Sequence, residues 1–128
     1  MTEQTTDLLA LVAQGDHAGL EAALKAGADP DTADRWGATA LAQAAARGDL
    51  QAVQTLLAQG AEPDRASDAG NRPLMMAAAR GHLEVMKALL DAGADPASGN
   101  KWGFGPKDWA SWPPNKADVM ALLESRDG

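Results

Sequence analysis

A chain of 128 residues is long enough to bury most of its apolar surface in a single compact domain. Its 45% hydrophobic and 23% charged residues exclude an intrinsically disordered polypeptide. A formal net charge of −7 disfavours a phosphate backbone as partner, and the lack of cysteine removes disulfide, thiol and cysteine-metal chemistry.

The N-terminal stretch from Met1 to Asp7 carries two acids, Glu3 and Asp7, and no basic segment, so it does not read as a secretory signal. No stretch approaches the length of a membrane span. The expectation is a cytoplasmic protein with no membrane association. The chain then divides into units of about 4–36, 37–69, 70–102 and 103–125, read together as one domain, 1–128. In the second unit Thr39 precedes a short apolar run from Ala40 to Ala46, which Gly48 ends. The next segment, Leu50 to Ala58, sets Leu50, Val53, Leu56 and Leu57 on one face at helical spacing, and Gly60 stops it. Pro63-Asp64 and Ala69-Gly70 supply turn chemistry. Each unit therefore reads as two short antiparallel helices followed by a turn.

The units are copies of one another. Gly37, Gly70 and Gly103 are 33 residues apart, as are Gly15, Gly48 and Gly81, and Gly27, Gly60 and Gly93. The last three open Gly27-Ala28-Asp29-Pro30, Gly60-Ala61-Glu62-Pro63 and Gly93-Ala94-Asp95-Pro96. Leu24, Leu57, Leu90 and Leu123 keep the same register without an insertion.

This pattern resembles the ankyrin repeat. The match is carried by Gly37-Ala38-Thr39-Ala40-Leu41 with Ala44-Ala45, by Gly70-Asn71-Arg72-Pro73-Leu74 with Ala77-Ala78, by Gly81-His82, and by Leu56-Leu57 and Leu89-Leu90. It covers the chain from about Thr5 to Leu123. The resemblance implies an all-α solenoid of helix-turn-helix units joined by β-turn, hairpin-like loops. It also implies a protein that binds other proteins with its turn tips and inner helix face.

Departures from the pattern fall at the ends. His17 and Lys116 stand where Leu50 and Leu83 sit, and Gly19 and Asp118 where Ala52 and Val85 sit. Leu11-Val12 replaces the small pairs of the central units. Polar replacements suit end repeats with a face that no neighbour covers, and imply a complete array capped at both ends. In the fourth unit Ser111-Trp112-Pro113-Pro114-Asn115 stops the first helix, while Pro106 suits a helix start.

Nothing in the chain resembles an enzyme active site. His17 and His82 sit alone in separate turns, and the resemblance gives His82 a backbone hydrogen bond at a helix start. The acids of Asp29-Pro30-Asp31-Thr32-Ala33-Asp34 lack the glycine and distant glutamate of a calcium loop and read as solvated turn residues. No phosphate-cradling glycine motif and no Ser–His–Asp pattern occurs. No cofactor or metal is expected.

Four of the five aromatic residues are tryptophan. Carried over from the resemblance, the binding surface comprises Arg35, Trp36, Arg47, Asn71, Arg80, Lys101, Trp102, Phe104 and Trp112, with Trp109 left in a core-like position. Large rings on one face bury much area at low entropic cost, and the nearby Arg and Lys residues favour an acidic segment on the partner. The same rings, by stacking over adjacent tips, would equally serve to stiffen the array. The reading is a small monomeric adaptor or inhibitor that binds one protein, with no nucleic acid partner. The alternatives are a structural or stabilising companion of a larger enzyme, an immunity- or antitoxin-like protein using the same surface, or an enzyme or small-molecule binder, which would require a deep pocket.

Overall fold

The computed structural model describes residues 7–97, 99–109 and 114–126. Its eight helices among these residues are α1 (Leu8–Gln14), α2 (His17–Lys25), α3 (Ala40–Arg47), α4 (Leu50–Ala58), α5 (Pro73–Arg80), α6 (Leu83–Asp91), α7 (Pro106–Trp109) and α8 (Lys116–Arg126). They form an all-α solenoid of two layers. The inner layer runs α1, α3, α5, α7, each helix packed on the next, and the outer layer runs α2, α4, α6, α8 in the same way. Among the described residues no helix is long and apolar enough to cross a membrane.

Local chemistry sets these helices at the positions read from the sequence. Asp7, Asp16, Thr39 and Asp49 cap α1, α2, α3 and α4, each side chain accepting a backbone N–H of the first turn. Arg72 takes the place of Thr39 in the third unit and makes no side-chain cap; Pro73 starts α5 there, and the Arg72 guanidinium instead donates from Nη1 to the Asp64 carbonyl at 2.7 Å. The left-handed Gly48, with φ 73°, closes α3 by donating its N–H to the carbonyls of the last turn.

Tertiary packing fixes which side chains are small. Ala44 and Ala45 on α3 and Ala77 and Ala78 on α5 are fully buried, and these two inner helices pack on each other, since a short side chain is what lets two helix backbones approach closely. Leu20, Val53, Leu56, Met86, Leu89, Val119 and Leu123 fill the space between the layers. In the first unit Val12 is buried and Leu11 half-buried. At the far end Lys116 and Asp118 are exposed while Val119 and Leu123 on the same helix are not. Residues 110–113, with the expected helix stop before Pro113 and the Trp112 ring, and the side chain of Trp109 lie outside the described residues.

Polar side chains bridge each unit to the one before it. His17 Nε2 lies 2.8 Å from both carboxylate oxygens of Asp49, so the histidine expected to stand alone is paired with the residue that caps α4. The His82 side chain does not cap its own helix; the backbone hydrogen bond expected of it runs instead from Nε2 to the Ala46 carbonyl, in the last turn of α3, at 3.2 Å. Its ring lies against Gly48, where a Cβ would come within 2.7 Å of the imidazole. Asn115 Nδ2 donates to the Gly81 carbonyl at 2.9 Å at the third junction. Gln43, half-buried on α3, donates from Nε2 to the Ala38 carbonyl at 3.2 Å, which supplies the partner such an amide needs.

The acids of the long loops serve a related purpose. Asp31 Oδ1 accepts the Glu62 N–H at 2.8 Å, and Asp64 Oδ2 accepts the Asp95 N–H at 3.0 Å, one unit later in the same register. Charge-assisted bonds of this kind tie neighbouring loops together and orient the tips that follow them.

Candidate protein-binding face

Each turn tip is a short hairpin closed by two backbone bonds: Asp34 N–H to the Ala38 carbonyl, Ser67 N–H to the Asn71 carbonyl and Asn100 N–H to the Phe104 carbonyl, with Gly37, Gly70 and Gly103 each donating back to the carbonyl of the opening residue. The residue opening the hairpin also holds it from the side chain. Asp34 Oδ1 accepts from the N–H groups of Trp36 and Ala38 at 2.9 and 3.0 Å. Asn100 Oδ1 accepts from Trp102 and Phe104 at 2.9 and 3.1 Å, and Ser67 Oγ from Asn71 at 3.3 Å. Short acceptor side chains at this position mimic a backbone turn, which is why Asp, Ser and Asn interchange there.

Successive tips are joined to each other. Asp68 donates its N–H to the Trp36 carbonyl at 2.8 Å, and Lys101 to the Ala69 carbonyl at 3.0 Å. Gly70 makes the second approach possible: its φ is 84°, and a Cβ there would sit 2.7 Å from the Lys101 nitrogen. Asn100 Nδ2 adds a bond to Asn71 Oδ1 at 3.1 Å. The tips are thus one hydrogen-bonded rim rather than three separate loops.

The rim presents the aromatic residues expected of it. Trp36, Trp102 and Phe104 are 61%, 65% and 53% exposed. The Arg35 guanidinium lies 4.6 Å from the centre of the Trp36 ring and the Lys101 ammonium 5.9 Å from that of Trp102, so two tips carry the same cation-on-ring pair. Arg47 and Arg80 are exposed in the last turns of α3 and α5, where a cation also complements the helix dipole. Asn71 is half-buried and engaged in the tip-to-tip bonding, so its side chain belongs to the scaffold. Trp112 lies outside the described residues.

Between the first and second tips lies a groove of about 320 Å³. Trp36, Ala38, Ala42, Ala69 and Met76 give it apolar walls, and Asp34, Ser67, Asp68 and Asn71 complete it. Sequence reasoning leaves Asp34 in a solvated turn and gives the charge of Asp68 no role. With both beside the groove, the face is mixed in sign rather than uniformly cationic. Their signal is present in the register: residues 34, 67 and 100 are Asp, Ser and Asn, while residues 35, 68 and 101 are Arg, Asp and Lys.

The family model for ankyrin repeats, in three copies, matches residues 8–100, which is well over half of the chain. No curated protein matches it. The matched span contains α1 to α6 and the first two tips, and it ends at Asn100, where the third tip opens. On this match and this architecture, the chain belongs to the ankyrin repeat family.

Proposed function

We propose that this protein is a small adaptor or inhibitor that binds one protein partner through the rim of turn tips and the inner helices behind it. Ankyrin repeats are in general protein–protein interaction modules. The observation that carries the reading here is the exposure of Trp36, Trp102 and Phe104 together on the tips. Exposed rings contribute little to the fold that displays them, whereas at an interface each buries a large area with few torsions to freeze. The backbone bonds that join the tips hold the face in one shape before binding, which lowers the ordering cost of association. Arg35 and Lys101 at the rim favour acidic residues on the partner and faster encounter with them.

The test is affinity capture with the intact chain beside a Trp36→Ala/Trp102→Ala variant. The expected outcome is a partner held by the first and lost by the second, with melting unchanged. A partner recovered equally by both would move the binding surface to the outer helices or the end units and sink the proposal.

A further inference from the structure

The three described tips are not equivalent, and their differences form a pattern. At residues 35, 68 and 101 the rim reads Arg, Asp, Lys; at 36, 69 and 102 it reads Trp, Ala, Trp. Charge alternates along the rim, and the small Ala69 leaves a gap in a line that is otherwise tryptophan. The groove lies at that gap, with Ala38, Ala42 and Met76 lining it beside Trp36, and Asp34 and Asp68 among its residues. At about 320 Å³ it is at the lower limit of small-molecule sites, which run from about 300 to 1,000 Å³, so it suits one side chain better than a cofactor.

The turn itself does not require the negative charge of Asp34. Asn100 makes the same pair of bonds in the third tip with a neutral side chain, to Trp102 and Phe104. Both donors of the first tip reach Asp34 Oδ1, so Oδ2 lies outside that pair of bonds. Two carboxylates beside an apolar, aromatic-walled groove are complementary to a long side chain with an aliphatic stem and a planar cation.

We infer that this groove receives an arginine of the protein partner, carried on an extended segment whose acidic residues lie on either side of it against Arg35 and Lys101. The inference rests on the rim being the partner-binding face. Packed helices stand about 8–10 Å apart, and an extended chain rises about 3.3 Å per residue, so one unit of the solenoid spans roughly three residues of partner. The groove lies about half a unit from the tip of Arg35 and about one and a half units from that of Lys101. The acids therefore stand roughly two and four residues from the arginine, and the segment is of the form acidic-x-Arg-x-x-x-acidic.

The full chain, labelled with nitrogen-15, is titrated at physiological salt with the end-blocked peptide Asp-Thr-Arg-Thr-Thr-Thr-Asp and with its charge-inverted counterpart Lys-Thr-Asp-Thr-Thr-Thr-Lys. The first peptide is expected to move the amide signals of Ala38, Ala42, Asp68, Ala69 and Met76. The second should bind more weakly even though the protein's net charge of −7 attracts it. Asp34→Asn/Asp68→Asn should keep its melting temperature, because Asn100 shows that asparagine closes the turn Asp34 opens and because Asp68 is exposed, and should weaken the first peptide roughly fivefold or more. Equal binding of the two peptides, no effect of the double substitution, or no shift at millimolar peptide would each overturn the inference. The broader reading is tested separately. A captured partner lost by Trp36→Ala/Trp102→Ala but retained by Asp34→Asn/Asp68→Asn leaves the rim as the binding face and removes the arginine groove.

Discussion

Ala44, Ala45, Ala77 and Ala78, on the inner helices, are fully buried, whereas Trp36, Trp102 and Phe104, at the tips, stand more than half exposed. Side-chain size is thus distributed in opposite ways in the two regions. Within the stack, close approach of helices requires small residues, and leucines fill what space remains between the layers. At the tips the backbone is already held by its own hydrogen bonds, and the rings add area that the fold leaves uncovered. The contrast teaches that stability and recognition occupy different residues of this chain and can be changed independently.

The largest effect that would sharpen this contrast is expected from Leu56→Ala. Leu56 is fully buried, and truncating such a residue costs about 2–5 kcal/mol through lost transfer energy and a residual cavity, measurable by urea unfolding. Gly70→Ala comes next, at about 1–3 kcal/mol, because it combines a left-handed backbone with a Cβ pressed on the next tip. A loss smaller than Gly→Ala costs in an ordinary loop would show that the rim yields locally, and the description of one continuous rim would break.

Asp49→Ala is expected to cost about 1 kcal/mol, mostly as the lost cap of α4. A double-mutant cycle with His17→Ala separates the cap from the bridge, and a coupling energy near zero would show that the bridge adds nothing to the docking of the first unit. The smallest effect belongs to Trp36→Ala/Trp102→Ala, within about 0.5 kcal/mol of the parent although it removes far more atoms than Leu56→Ala does. A large loss there would assign the rings to packing and dissolve the contrast.

Much of this architecture is legible in the amino-acid order alone. The 33-residue register of glycines locates the turns, and the helical spacing of Leu50, Val53, Leu56 and Leu57 locates the face of α4 that packs on the core, with Val53 and Leu56 buried and Leu50 and Leu57 half-buried. The run read as Ala40 to Ala46 extends by one residue, to Arg47, and the segment from Leu50 to Ala58 is α4 itself. The tip positions carried over from the family hold three exposed aromatics among the described residues. These features depend on neighbours within a few residues or on strict repetition, so local pattern suffices to find them.

The partners of polar side chains are not legible in the same way. His17 meets Asp49, His82 meets the Ala46 carbonyl, and Asn115 meets the Gly81 carbonyl, three different solutions at successive junctions. Asp34 reads in sequence as a solvated turn acid, yet it lines the groove beside Trp36 together with Asp68. Periodicity by itself determined that this chain stacks helix pairs, because burying one apolar face per unit leaves few other arrangements. The resemblance carried by its motif residues added that the stack is of the ankyrin kind. Only the tertiary structure decided which charges meet and where a groove opens between Trp36 and Met76. Those outcomes depend on the relative placement of residues about one repeat apart in sequence, and repetition specifies that such residues are neighbours without specifying which of their atoms touch.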